Sequence, residues 1–170
     1  AAIKIHQQIQ IELANTVLEK QPYLLERSSS SYALLAKLLN YQGQRQQAFE
    51  KAQLSLAGIT NALKQDPKND IWKTQQYSAY LDMLAFSPDP IEQATEYSIE
   101  SLAIILDTDM TLVTSTKKND LWAKYQLAAA NYLASQGRLS ESLVHTRQAI
   151  IFFSQLITEF TQNTTYPAAS

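Results

Sequence analysis

Histidine is the side chain whose charge changes near neutral pH and a frequent metal ligand, and this chain has two, His6 and His145. Neither has a second histidine three or four residues away, the spacing that sets two ligands on one face of a helix. Both read as surface or boundary residues. Asp107 and Asp109 stand two apart, which directs them to different faces of a helix, and they read as a solvated helix end. Serine is plentiful, but no Gly-x-Ser-x-Gly elbow occurs and neither histidine lies in a base motif for a triad. The three glycines, Gly43, Gly58 and Gly137, form no phosphate-cradling loop. Asn163-Thr164-Thr165 fits the glycosylation triplet, a pattern common by chance. With no cysteine, thiolate nucleophiles, disulfides and cysteine zinc sites are excluded together. The expectation is a chain that is not an enzyme and takes no metal or cofactor.

Composition narrows the partners. The formal charge is −2 and no dense Lys/Arg cluster exists, so the electrostatic footprint of direct nucleic-acid binding is missing. The longest strictly apolar run, Ala149-Ile150-Ile151-Phe152-Phe153, falls far short of the roughly 20 residues that cross a bilayer, so membrane insertion by this segment is not expected. No signal-peptide pattern opens the chain. It begins with Ala1 inside a helical pattern, which points to a soluble domain, cytoplasmic or periplasmic, cut from a larger protein.

What remains is a scaffold that must position any site. Three glycines and five prolines leave little turn material for a sandwich or barrel, while Ala, Leu, Gln, Glu and Lys fill the periodic stretches, so the fold class is all-α. Ile5, Ile9, Leu13 and Val17 draw a stripe along a first helix that ends at Pro22. The serines Ser28 to Ser31 offer N-cap hydroxyls to a second helix, and Gly43 supplies its left-handed C-cap. A third helix, Gln44 to Gln65, carries Phe49, Ala52, Leu56, Ile59 and Leu63 on one face and stops at Asp66-Pro67. Asn69 or Asp70 caps a fourth, bearing Trp72, Tyr77, Tyr80, Leu81 and Leu84. Asp89, Pro90 and Glu92 form a capping-box pattern that starts a fifth at Pro90, running to about Met110. Thr111 to Lys118 read as a connector, and a last pair spans Asp120 to Gln136 and Arg138 to about Asn163, with Gly137 between.

The sum is about seven helices in one domain over 1–166: an orphan helix 1–22, hairpins 29–66, 69–110 and 119–163, and a tail 167–170. Asn69-Asp70-Ile71-Trp72 recurs fifty positions later as Asn119-Asp120-Leu121-Trp122, each copy opening a two-helix segment. Self-similarity at such a period is the signature of stacked helical hairpins, a solenoid. The paired tryptophans read as packing residues, since equivalent neighbours follow from equivalent repeats.

Tyr41-Gln42-Gly43-Gln44-Arg45-Gln46-Gln47-Ala48-Phe49 and Ala134-Ser135-Gln136-Gly137-Arg138-Leu139-Ser140-Glu141-Ser142-Leu143 resemble the inter-helix turn of tetratricopeptide repeats. Small residues fall where that family has them: Ala36 and Ala130 on first helices, Ala48, Ala94 and Ser142 on second helices. Leu63 to Asn69 resembles the segment that ends a repeat. The units, about 44 and 50 residues long, carry second helices roughly 10 Å longer than usual, at about 1.5 Å per residue. They are similar to repeats of bacterial multidomain signalling proteins. The resemblance implies a right-handed superhelix of antiparallel helix hairpins whose first-helix face binds a peptide, a neighbouring domain or a second copy, the last giving a homo-oligomer. Matching the family's groove positions names Lys37, Asn40 and Tyr41 on one first helix, Tyr77 on the next, and Lys124, Leu127 and Asn131 on the third. Lysine and asparagine would clamp a carboxylate or main chain, with tyrosine adding contact area. The alternative is a small-molecule-sensing regulatory domain of a signalling protein, its ligand in an apolar cleft between hairpins.

Overall fold

A computed structural model describes residues 21–91, 95–108 and 115–163. Every regular element among them is an α-helix: α1 Pro22–Tyr41, α2 Arg45–Gln65, α3 Asp70–Phe86, α4 Ile99–Thr108, α5 Ser115–Ser135 and α6 Leu139–Asn163. The fold is all-α. The expected helix 1–22 lies outside the described residues, Gln21 and Pro22 excepted. The chain divides into two compact units, Ala1–Phe86 and Ser87–Ser170.

In the first unit Pro22 opens α1. Its ring holds φ near the helical value, and at the first position its missing N–H leaves no bond unmade. The serine run therefore lies inside α1 and caps nothing. Ser30 Oγ donates to Glu26 one turn back at 2.9 Å, and Ser29, buried, donates to Ser55 O of α2 at 2.7 Å. Gly58 completes this contact: a Cβ there would sit 3.2 Å from Ser29 Cβ and 3.3 Å from Leu25 O. The α1–α2 approach thus depends on small side chains.

Gly43 ends α1 with φ +76°, and Gln44 N donates to Leu39 O at 2.9 Å while Gly43 N donates to Asn40 O at 2.9 Å. This is the Schellman arrangement, in which a left-handed residue turns the chain and satisfies the last carbonyls. α2 then returns antiparallel. It buries Ala48, Ala52, Ser55, Ile59 and Ala62, with the larger Phe49, Leu56 and Leu63 at the flanks of that face. Asn69 caps α3, its Oδ1 accepting from Trp72 N at 3.1 Å. Ile59, Ala62, Trp72 and Ala79 form a core cluster flanked by Leu25, Leu56 and Leu63. Tyr23 meets Trp72, Glu26 meets Gln75 and Lys37 meets Asp82, in the same order along both helices, so α1 and α3 run parallel. Arg45 at the start of α2 donates to Ala85 O at 2.8 Å, placing a cation at the negative end of α3.

In the second unit the capping box at Asp89 is not realised. Pro90 and Ile91 are not helical, and Ile91 N donates to the Tyr132 hydroxyl at 2.7 Å. A tertiary acceptor has taken a donor that a helical first turn would present. Glu92, Gln93 and Ala94 lie outside the described residues, as do Asp109 and Met110. α4 starts only at Ile99, with Ser98 Oγ accepting from Ser101 N at 3.1 Å.

The expected connector is partly helix, since α5 starts at Ser115 and takes in Ser115 to Lys118; 111–114 are not among the described residues. Asn119 consequently lies in the helix interior and caps nothing. Its side chain donates across to Glu159 of α6 at 3.0 Å. Gly137 repeats the turn of Gly43, with φ +76° and Arg138 N donating to Leu133 O at 2.9 Å. Asn119 with Glu159, Trp122 with Phe152 and Ala130 with Ser142 pair in opposite order, so α5 and α6 are antiparallel.

Candidate functional site

The seven residues expected to line a groove fall into three situations. On α1, Lys37 is half exposed with its ammonium 3.6 Å from Asp82 of α3, Asn40 is half-buried, and Tyr41 is 89% exposed. On α5, Lys124 is exposed and 2.6 Å from Asp120, and Leu127 and Asn131 are exposed beside it on the same helical face. Tyr77 belongs to neither group. At 1% exposure it is a core residue and offers no surface to a partner. The reason is local: α3 buries Tyr77 together with Ala79, Leu81, Met83, Leu84, Ala85 and Phe86, more than one face of the helix, so no first-helix groove position opens there.

The larger feature of α1 was not singled out from sequence. Leu34 (60%) and Leu38 (51%) are exposed and share a face with Lys37 and Tyr41; Tyr23 and Arg27 continue that line toward the start of the helix. Leu35, Ala36 and Leu39, one position on, are the buried face. A sequence signal existed in the doubled leucines, Leu34-Leu35 and Leu38-Leu39. One stripe suffices to anchor a helix to its core, and the second is left exposed.

Electrostatics at this face centre on Asp82. Loss of hydration lifts its carboxyl to about 6, against the opposing charge and hydrogen bond of Lys37. The surface of α1 thus carries Lys37 over a carboxylate that is protonated readily in mild acid.

Elsewhere the candidates for chemistry are occupied structurally. His145 lies between α5 and α6, its Nδ1 2.6 Å from Gln126 Oε1, and burial lowers its pKa against the pull of Glu141. Asp107 is a solvated helix end, 3.9 Å from Lys118. His6 lies outside the described residues. Among the described residues no three His, Asp or Glu side chains gather to hold a metal ion. A shallow groove of about 660 Å³ runs along α6, lined by Ile150, Ile151, Ser154, Gln155, Thr158 and Glu159 with Asn119 of α5. Trp72 meets Tyr23 edge-on at 5.6 Å and Trp122 stacks on Phe152 at 6.0 Å, so both indoles serve packing, in non-equivalent settings.

Compared with known proteins, the chain matches no family profile, no curated protein and no solved structure. No helix among the described residues is long and apolar enough to cross a membrane.

Proposed function

We propose that this chain is a non-enzymatic protein-interaction module of tetratricopeptide type, the kind found in bacterial signalling proteins, binding a partner peptide on the exposed face of α1. The observation that carries the reading is the stripe Leu34, Leu38 and Tyr41, exposed on a helix whose opposite face is already buried. Exposed apolar side chains in line on one rigid helix supply contact area without ordering cost, and the neighbouring Arg27 and Lys37 favour a partner with acidic residues beside its apolar ones. The glycine turns at Gly43 and Gly137, alike in φ and hydrogen bonding, support the assignment to this repeat type. On α5, Lys124, Leu127 and Asn131 are exposed on one face and add a second candidate surface.

Display of a random peptide library against the immobilised chain tests the proposal. Enriched peptides should pair apolar residues with Asp or Glu, and should lose binding at least tenfold to the Leu34→Ser, Leu38→Ser, Tyr41→Ser variant, about 1.4 kcal/mol or more. Peptides that bind the variant as well as the parent would refute the α1 site. The small-molecule alternative has less support, since the groove on α6 is open to solvent.

A further inference from the structure

α6 carries two apolar stripes, and only one of them meets α5. The covered stripe is marked by Ser142, bonded to Ala130 O, His145 against Gln126, buried Ala149 and Leu156, and Phe152 stacked on Trp122. One residue on runs Leu139, Leu143, Thr146, Ile150, Phe153 and Ile157, in alternating steps of four and three. The five apolar members of this second stripe are between 38% and 65% exposed. Such stepping keeps a seam facing a second helix along several turns, and Ile150 and Ile157 take the positions at which β-branched side chains favour two-stranded assembly.

We infer that this seam is a self-association surface, on which α6 of a second copy of the chain docks to form a dimer. Charge favours a like chain over a charged partner. From Gln148 to Thr158 α6 has no charged side chain, so a charged partner gains nothing there and a like chain meets no repulsion. Area is sufficient as well. At on the order of 100 Å² for each apolar side chain, with their polar neighbours, the seam covers roughly 600 Å² per copy and about 1,200 Å² in the pair, at the lower end of the roughly 1,200–2,000 Å² of specific interfaces. The seam shares no residue with the α1 face.

Sedimentation equilibrium of the 170-residue chain is the test. The expected mass at tens of micromolar is twice the 19.1 kDa of the chain, falling to the single mass on dilution. Ile150→Glu with Ile157→Glu should sediment as a monomer with unchanged helical circular dichroism, because both side chains face solvent within one copy. Should two charges unfold α6, Ile150→Asn with Ile157→Asn carries the same expectation. Leu34→Ser with Leu38→Ser should remain dimeric, which separates this surface from the peptide site. A parent chain that is monomeric at hundred-micromolar concentration, or a folded α6 variant that stays dimeric, overturns the inference.

Discussion

Asp82 offers a direct electrostatic test of how α1 and α3 meet. Its side chain is 14% exposed, with Lys37 Nζ at 3.6 Å, and burial raises its pKa from 3.8 to about 6. A difference of about two units corresponds to about 3 kcal/mol at ~1.4 kcal/mol per unit. The folded carboxyl holds its proton more tightly than the unfolded one, so folding takes up a proton between the two values. That contribution is fully present below about pH 4 and is lost as pH rises through about 6. Asp82→Asn cannot titrate and lacks this dependence. Urea unfolding of parent and variant, followed by circular dichroism across that range, should show the parent losing about 3 kcal/mol relative to the variant between about pH 4 and pH 7. Lys37→Met, which removes the opposing charge, should move the step to higher pH. A difference that is flat in pH, or a parent that gains on the variant as pH rises, would show that Asp82 is hydrated or that Lys37 outweighs its burial.

Other substitutions separate backbone, packing and contact effects. Gly43→Ala and Gly137→Ala meet no atom within 4 Å, so each should cost only the left-handed conformation, about 1–2 kcal/mol, read as a lower urea midpoint. Gly58→Ala should destabilise despite the roughly 1 kcal/mol it gains in helix propensity, because its Cβ presses on Ser29 and the Leu25 carbonyl; net stabilisation would mean that α1 and α2 can separate freely. Trp72→Ala, in the core cluster, should cost about 3–5 kcal/mol. Trp122→Ala should cost less, since Trp122 is only half-buried, and thermal unfolding of the two variants reports the order.

Several elements of this fold are legible because one residue type satisfies a local demand that others do not. Gly43 and Gly137 mark the hairpin turns since a left-handed residue is needed there, and Asn69 marks the start of α3 by the reach of its side chain to Trp72 N. Elements misread from sequence are those in which a local pattern competes with a distant group. The serines before Tyr32 look like caps, yet Ser29 is held by Ser55 of the neighbouring helix. Asp89-Pro90 looks like a helix start, yet Ile91 N is engaged by Tyr132. The two Asn-Asp-aliphatic-Trp segments look equivalent, yet Asn69 caps a helix and Asn119 reaches Glu159 from inside one.

The order of apolar and polar residues alone determined that the chain is helical and where it reverses at the two glycine turns. Only the tertiary structure decided which of two adjacent stripes each helix buries. On α1 the core took Leu35 and Leu39 and left Leu34 and Leu38 outside; on α6 it took Ala149 and Leu156 and left Ile150 and Ile157. Helical periodicity states the angle between residues on one helix, and the direction of the neighbouring helix, which chooses between them, is a property of the packed chain.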